Sequence, residues 1–393
     1  MRAYTRPAVI AGGEINGLGV ARSLARAGVP TVLLDTDPGR ATMRTRYGRK
    51  HRVASLEGEP FLAELLRLRA ALPADPVLFL TQEKSVATVA AHLDRIAGAY
   101  RLSMPSAEIM RMLMDKASFQ DAAERLGAPI ARAVTLRADA DIAALASLRF
   151  PCVMKPVVKS AEYDRRFKKA YRIEEAAAAE ALYREVGQCA VMIVQEWIEG
   201  GDDAIYFCLQ FRSRDGRAVA SFCGRKLRSW PPRIGGTASC LGAPEATAEL
   251  AALTDGFFAA TGFFGLGSME YKKDTRTGRF MMIEPTVGRT DFQEEVATLN
   301  GVNVPLAAYC WESGVALPPA AAPGRPAGWS VANIDRWSRE LQPDNAGGFP
   351  AGVRNFDAVR RWDDPVPWLC ERAAAVTDWL AARRRGRLAP AKP

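Results

Sequence analysis

Two carboxylates stand on either side of a short turn in segment 268–285 of this chain. β-Forming residues flank an Asp/Thr/Gly turn in SMEYKKDTRTGRFMMIEP, and this pattern predicts a hairpin. With the turn centred on residue 276, Glu270 lies opposite residue 282, so Glu270 and Glu284 are diagonal neighbours on one face. Such neighbours lie about 7–8 Å apart, close enough to bind metal ions spaced about 3.5–4 Å. Hard oxygen ligands suit Mg²⁺ that carries nucleotide phosphates, and two ordinary surface acids are the alternative.

Basic residues form a second group that can act on phosphates. Lys155 ends the apolar strand RFPCVMKP, where a lysine can bury its stem and hold its ammonium against α- and β-phosphates. The next segment has no glycine and carries four candidates, Lys159, Ser160, Lys168 and Lys169. A basic loop of this kind can clamp phosphates by charge, and the pattern leaves open which lysine does so, or whether the loop is only solvated.

The composition excludes several classes of function. The chain has 393 residues, enough for two or three domains, with 48% hydrophobic and 25% charged residues. Neither His51 nor His92 belongs to a metal motif and the seven cysteines form no CxxC pair, which argues against zinc sites and Ser–His–Asp catalysis. The net charge of +9 is spread along the chain without an aromatic-basic RNA pattern, so no nucleic-acid partner is expected. The longest apolar runs are too short to span a bilayer and no apolar signal core is seen, so we expect a cytoplasmic protein with no membrane partner.

Strands and helices alternate in the first hundred residues. Strands are predicted at 7–13, 31–37 and 77–82, with a helix at about 16–27, and this order favours a Rossmann-like parallel sheet. The turn GGEINGLG lacks the G-x-G-x-x-G spacing of dinucleotide sites. Asp35 nevertheless ends the second strand, as a ribose-binding acid would, so a nicotinamide-dependent oxidoreductase stays open as an alternative.

The pattern changes near residue 105. Pro105 and Ser106 form a turn and helix cap, two helices follow, and the next strands are rich in antiparallel hairpins. A Pro/Ala/Gly stretch at 316–328 then precedes a terminal amphipathic helix. We expect four regions: a Rossmann-like domain at 1–105, two α+β subdomains at 106–195 and 196–315, and a linker with a C-terminal helical extension at 316–393.

Five features in this order resemble the ATP-grasp superfamily over about residues 1–312. The nearest branch is the carboxylate–amine ligases, related to biotin carboxylase and D-alanine–D-alanine ligase. The features are the D-K helix start at Lys116, the strand that ends at Lys155, the basic loop, the segment IVQEWIEGGDDAIYF and the carboxylate hairpin. The resemblance implies an α/β pre-ATP-grasp domain followed by an ATP-grasp domain of two α+β subdomains.

The resemblance also implies roles for residues. Lysines would bind the phosphates. Glu196 and the hinge backbone would form hydrogen bonds with adenine, and Asp202 or Asp203 would bind the ribose. The ATP-binding set is Lys116, Lys155, Lys159, Lys169, Glu196, Trp197, Ile198 and Asp203.

The second acid of such enzymes usually lies in an E-x-N-x-R motif. Here Thr286 replaces the asparagine and Arg289 comes one residue late. The implied metal ligands are Glu270, Glu284 and Thr286, which would hold two Mg²⁺ ions, with Mn²⁺ as a substitute.

The implied reaction is an ADP-forming ligation of a small-molecule carboxylate and an amine through an acylphosphate. Arg289 would contact the transferring phosphoryl group or the acyl carboxylate. Lys226 and Arg228, in the stretch GRKLRSWPPRIGGTASC with Arg225 and Arg233, would hold the carboxylate or the γ-phosphate, unless the stretch is a basic surface turn. An ATP-binding protein without catalysis and a bicarbonate-using carboxylase are further alternatives. A homodimer is the default assembly.

Overall fold

The first apolar runs of the chain form a parallel sheet in the computed structural model, which describes residues 4–158, 161–319 and 324–384. Its strands are β1 (Ala8–Ala11), β2 (Thr31–Asp35), β3 (Arg49–Arg52) and β4 (Val77–Leu80). They lie in the order β3-β2-β1-β4 and every pair is parallel. β1, β2 and β4 are buried on both faces, as continuous apolar strands in a doubly wound sheet are. The predicted Rossmann-like sheet is confirmed.

Helices follow these strands. They are α1 (Ile15–Arg26), α2 (Ala41–Arg44), α3 (Gly58–Ala70), α4 (Glu83–Ala91) and α5 (Leu93–Ala97). α1 packs very closely on the end of β1, because a Cβ atom at Gly17 would lie 1.9 Å from the Gly12 carbonyl oxygen. Only glycine permits this approach.

The second part of the chain contains four described α-helices, two of them with side-chain caps, and a small antiparallel sheet. The helices are α6 (Ala107–Met114), α7 (Lys116–Arg125), α8 (Ala161–Arg166) and α9 (Ala176–Val186), and the strands are β5 (Ala133–Leu136), β6 (Cys152–Pro156), β7 (Tyr171–Ile173) and β8 (Met192–Glu196). The strand order is β5-β8-β6-β7. Ser106 caps α6, as predicted, and Asp115 caps α7 by accepting the Ser118 N–H at 2.8 Å. The Asp115 cap places Lys116 at the start of α7.

A larger antiparallel sheet follows. Its strands are β9 (Ile205–Arg212), β10 (Ala218–Trp230), β11 (Gly236–Gly242), β12 (Gly265–Lys273) and β13 (Phe280–Val287), and its helices are α10 (Thr247–Ala260), α11 (Glu295–Leu299) and α12 (Val304–Ser313). One apolar cluster joins helix α4 of the first sheet to β12 and β13, through Val86, Met269 and Met282 among others. The two parts therefore share a core.

The segment after residue 315 adds two strands to the same sheet. Its elements are β14 (Ala327–Ser330), α13 (Ala332–Leu341), β15 (Arg354–Asp357) and α14 (Val366–Arg384). The order is β13-β12-β9-β10-β11-β14-β15, with β14 and β15 parallel. The region at 316–393, which we expected to be a linker and a helical extension, thus also contributes to the sheet. Each of these strands has only four residues, too short for a hydrophobic period to show in the sequence.

Every helix in the described ranges is too short or too polar to cross a lipid bilayer.

Candidate active site

A cavity of about 270 Å³ lies where the small antiparallel sheet meets the larger one. Its walls come from α7, from strands β6, β8, β9, β10, β11, β12 and β13, and from the loops around them. The structure brings together most of the residues predicted for ATP and metal. Those that line the cavity are Lys116, Lys155, Lys169, Glu196, Trp197, Ile198, Lys226, Glu270, Glu284, Thr286 and Arg289. Lys159 lies outside the described residues.

Glu270 and Glu284 face each other directly across the β12–β13 hairpin. The predicted diagonal arrangement is wrong, because the register shifts beside Glu270 and leaves Ile283 as an extra residue in β13. Met282, at the shift, donates its N–H to the Pro129 carbonyl oxygen at 2.6 Å. Directly opposite residues have Cβ atoms about 4.5–5.5 Å apart, so the two carboxylates lie closer together than a diagonal pair would.

The two acids differ in their charge environment. Lys226, only 2% exposed, donates to Glu270 at 2.6 Å. Burial raises the pKa of Glu270 and outweighs the opposing effect of Lys226. Burial also raises the pKa of Glu284, but the positive charges of Lys155, Lys116 and other lysines outweigh it and hold that pKa below its ordinary value. Glu284 is therefore the more readily ionised of the pair.

Lysines from separate elements surround Glu284. Lys116, at the start of α7, donates to the Val157 carbonyl oxygen at 3.0 Å. Lys169 donates to the Ile234 carbonyl oxygen at 3.1 Å, and Lys155 projects from β6. Together with Lys226 these side chains form a cationic wall that suits a polyphosphate.

The hinge after β8 offers a backbone donor that faces the cavity. The Trp197 N–H donates to the Pro151 carbonyl oxygen at 2.9 Å. The Ile198 N–H, by contrast, donates to no other residue in the described part of the chain, and Ile198 lines the cavity. The Glu196 carboxylate accepts hydrogen bonds from the Arg149 backbone at 3.0 Å and from its guanidinium at 2.9 Å. Burial raises the pKa of Glu196, but these bonds outweigh burial and lower it overall.

The hinge end of the cavity also carries a lysine that sequence reasoning missed. Lys272 is 8% exposed, and its ammonium lies 4.5 Å from the centroid of the Trp197 ring. Arg172 lies 4.9 Å from the centroid of that ring. Burial lowers the pKa of Lys272 and outweighs the opposing charges of Glu199 and Asp202, while the charges of Arg172 and Arg233 lower it further. The strand period could have revealed Lys272, because it lies two residues after Glu270 and so on the same face of β12.

Arg228, predicted at the site, does not line the cavity. In a regular strand Arg228 would share a face with Lys226, but the register of β10 against β11 shifts between them. Lys226 is opposite Cys240 whereas Arg228 is opposite Ser239, so the two side chains point to opposite faces. Arg228 is buried against α13, where it pairs with Asp335 at 2.6 Å.

Asp203, predicted to bind ribose, is exposed and also lies outside the cavity lining. Its alternative Asp202 is buried, and its carboxylate accepts the Ser229 N–H at 2.9 Å and the Arg233 N–H at 2.8 Å. Gln342 donates to Asp202 as well, at 2.9 Å. Asp202 therefore fixes the loop after β10, and neither acid is placed for a ribose.

Asp291 is a third cavity acid that the sequence did not single out. It accepts a hydrogen bond from the Ser268 hydroxyl at 2.9 Å and from the Gln293 amide at 3.1 Å. Its negative charge contributes to the raised pKa of Glu270. It lies on the loop after β13, where no period marks which side chains turn inward.

The donor set fits Mg²⁺ only if a ligand supplies further oxygens. Among the described residues no three His, Cys, Asp or Glu side chains are grouped closely enough to hold a metal ion. In nucleotide sites Mg²⁺ takes one or two carboxylates together with phosphate oxygens and water. Glu270 and Glu284 meet that requirement, and Thr286, opposite Ser268, adds a hydroxyl on the same face of the hairpin.

Asp35, the acid of the dinucleotide alternative, is used inside its own domain. Its carboxylate accepts the Gly13 N–H and, at 2.9 Å, the Asp37 N–H. It closes the glycine turn, and this arrangement gives no support to a ribose-binding role.

The sheet order and the cavity together define an ATP-grasp fold, as the sequence motifs predicted. No model of a known protein family and no curated protein sequence matches the chain. Solved structures do match. N5-carboxyaminoimidazole synthetase from Staphylococcus aureus is 14% identical, with a TM-score of 0.64 over 95% of this chain and 97% of that one. Biotin carboxylase from Campylobacter jejuni, in a β,γ-ATP complex, is 14% identical, with a TM-score of 0.62 over 80% and 72%.

Pyruvate carboxylase from Rhizobium etli shows the same fold within a much longer chain. It is 18% identical, with a TM-score of 0.60 over 81% of this chain, and this chain covers 29% of its length. At such identities the similarity establishes the fold alone.

Proposed function

We propose that the chain is a Mg²⁺-dependent ligase that uses ATP to activate a carboxylate as an acylphosphate and joins it to an amine. The observation that carries this proposal is the Glu270–Glu284 pair inside a lysine-walled cavity of an ATP-grasp fold. Opposed acids beside concentrated positive charge suit a metal–polyphosphate complex better than any other small ligand.

The nucleotide would span the cavity from the hinge to the acid pair. The unused Ile198 N–H would donate to the base, while Lys116, Lys155 and Lys169 would bind phosphate oxygens. Val153, Ile205 and Ile283 line the same cavity and supply apolar contact for a base. In this arrangement the γ-phosphate lies nearest Glu284.

Metal binding would fall to Glu270, Glu284 and Thr286. When bound there, Mg²⁺ neutralises charge on the phosphate oxygens during transfer. The lowered pKa of Glu284 keeps that ligand ionised at neutral pH. Lys226 pairs with Glu270 at 2.6 Å, so it stands beside the transferring phosphoryl group and can bind that group or the substrate carboxylate.

The reaction needs positioning more than a nucleophilic side chain. A carboxylate oxygen of the substrate attacks the γ-phosphorus, the bond from that phosphorus to the bridging oxygen breaks, and ADP leaves. The amine nitrogen then attacks the acyl carbon, phosphate departs and the nitrogen loses a proton. Arg289 and Lys226 line the cavity where they can hold the carboxylate and stabilise negative charge, so no histidine or cysteine is required.

The first experiment measures ADP release from ATP and Mg²⁺ in the presence of pooled amino acids and small carboxylates, with mass spectrometry of the products. A ligase yields ADP and a new mass equal to two pool components minus water. Thermal stabilisation by ATP with no substrate-dependent ADP release in any pool would contradict the proposal. It would favour an ATP-binding protein without catalysis, for which the altered E-P-T-V-G-R motif at Glu284 is the specific argument.

A small-molecule ligase of this kind would work in the cytoplasm, and homodimerisation stays the default expectation.

A further inference from the structure

Lys272 is a buried cation without an acceptor. It is 8% exposed and lines the cavity, yet its ammonium makes no hydrogen bond or ion pair with any other residue in the described ranges. Its ammonium lies over the face of the Trp197 ring. Burying an ammonium without an acceptor is costly, and a bound ligand that supplies oxygens would remove this cost.

Arg233 also lines this cavity, but unlike Lys272 it is exposed to solvent. It is the one non-glycine residue in the described part of the chain with a positive φ, at 69°. Its backbone is held there because the Asp202 carboxylate accepts its N–H at 2.8 Å. The guanidinium lines the cavity and forms no hydrogen bond or ion pair with other described side chains. Backbone strain of this kind is most often retained where it places a functional group.

The two cations lie away from the metal end. Lys272 follows Glu270 by two residues on one face of β12, about 7 Å further along the strand. It approaches Trp197 at the hinge, and it is near enough to Arg233 for their like charges to repel. A nucleotide whose γ-phosphate lies at Glu284 would place its ribose and first phosphate in this part of the cavity.

The acids that could bind ribose hydroxyls here are unsuitable. Asp203 is outside the lining and the Asp202 carboxylate is occupied by the loop after β10. Glu196 is held by Arg149. Glu199, whose charge acts on Lys272, lies outside the cavity lining. Among the described residues, the ribose end of the cavity therefore offers unpaired cations rather than an available carboxylate, and cations favour a phosphate group.

We propose that Lys272 and Arg233 form an oxyanion subsite beside the ribose, which binds a phosphate attached directly to the nucleoside. The phosphate is either the 5′ α-phosphate or a group on the 2′ or 3′ hydroxyl. This subsite rests on the proposed nucleotide binding and adds to it a specific chemical preference at the sugar.

The test is equilibrium binding of adenosine, adenosine 5′-monophosphate and the 2′- and 3′-monophosphates by calorimetry. The variants are Lys272→Met and Arg233→Gln, and Lys273→Met is the matched control because Lys273 is the next residue and lies outside the cavity lining. Wild type should bind one monophosphate at least about tenfold more tightly than adenosine. Each cavity variant should bind that monophosphate about 10- to 100-fold more weakly than wild type and bind adenosine with unchanged affinity. The control Lys273→Met should bind both compounds as wild type does. Loss of affinity for the 5′-monophosphate in the variants identifies the α-phosphate as the bound group. Loss of affinity for the 2′- or 3′-monophosphate identifies a phosphate on the ribose.

If the variants bind adenosine and all the monophosphates equally more weakly, or bind none of them more weakly, the proposed subsite is wrong. Arg233→Gly separates the guanidinium from the backbone, because glycine accepts a positive φ without strain. It should lose phosphate affinity as Arg233→Gln does, and retained affinity in the glycine variant would show that only the loop conformation matters. None of these measurements needs turnover. A protein with the phosphate preference but no ADP release refutes the ligase alone, and a ligase indifferent to Lys272 refutes the subsite alone.

Discussion

The chemistry of the cavity is set by what surrounds each carboxylate. Glu270 and Glu284 are opposite each other on one hairpin, yet their pKa values shift in opposite directions. A single buried lysine bonds directly to Glu270, whereas the positive charges of several lysines act together on Glu284. We infer that Glu284 is the acid more available to a metal ion.

Glu284→Gln should therefore abolish ligase turnover. Removing the charge removes a metal ligand worth several kcal/mol in the transition state, so kcat should fall by about 10³-fold or more. The fold should be retained, which circular dichroism and the melting temperature can verify. Asp203→Asn is the matched control, since Asp203 is exposed and outside the cavity lining. A folded Glu284→Gln variant with full activity would refute the metal assignment.

Glu294 gives a prediction on stability and pH. It is 2% exposed, one of its oxygens has no partner among the described residues, and the other accepts the Asp291 N–H at 3.2 Å. Burial raises its pKa from 4.5 to about 8, and the charge of Asp291 adds to the effect. The native protein thus keeps the proton of Glu294 while the unfolded chain loses it above about pH 4.5.

Wild-type stability should consequently fall relative to Glu294→Gln as pH rises from 4.5 towards 8. The slope is about 1.4 kcal/mol per pH unit, and below pH 4.5 the stability difference no longer changes with pH because Glu294 is protonated in both the native and the unfolded state. Urea unfolding of the two proteins at pH 5, 6 and 7 measures it. Parallel stability curves would show that Glu294 is ionised in the fold.

At the scale of elements, the sequence predicted which strands form but not their register. The hairpin turn, the parallel sheet and the helix caps follow from local patterns. The shift at Ile283 and the shift between Lys226 and Arg228 do not, because a single extra residue depends on contacts with other segments. These two irregularities decide that Glu270 faces Glu284, and that Arg228 leaves the site.

Arg228 should therefore matter for stability rather than for substrate binding. Its guanidinium is buried with Asp335 at 2.6 Å and also donates to the Gly347 carbonyl oxygen at 2.8 Å. Arg228→Met leaves Asp335 with Arg339, at 2.9 Å, as its remaining ion-pair partner among the described residues, and it should cost about 1–3 kcal/mol in the free energy of unfolding. The double variant Arg228→Met with Asp335→Leu should recover most of that loss. Urea unfolding measures both, and a double variant as unstable as the single one would contradict this account.

At the scale of the whole molecule, the C-terminal segment closes on the first domain. Arg22 of α1 pairs with Asp364 at 2.9 Å, and both side chains are fully buried. The Asp364 carboxylate also accepts bonds from the Thr45 hydroxyl at 2.6 Å and the Arg46 N–H at 2.9 Å. On the opposite end of α1, Asn16 donates to the Thr290 carbonyl oxygen at 2.8 Å, next to Arg289 of the cavity. No local pattern predicts pairs separated by hundreds of residues, so this closure could not be read from the sequence.

These contacts and the shared apolar core predict that the chain unfolds as one unit. Asp364→Ala should lower the free energy of unfolding by about 3–5 kcal/mol, because it leaves the buried Arg22 charge without its carboxylate partner. Asp363 is the adjacent control: its pair with Arg26 is 49% and 29% exposed, so Asp363→Ala should cost about 1 kcal/mol or less.

The unfolding measurement uses urea, with circular dichroism and tryptophan fluorescence recorded together. Both signals should follow a single transition in wild type and in both variants, with the midpoint lowered much more by Asp364→Ala. Two separate transitions would contradict unfolding as one unit. Equal effects of the neighbouring aspartates would mean that something other than the buried Arg22–Asp364 pair holds the C-terminal segment to the first domain.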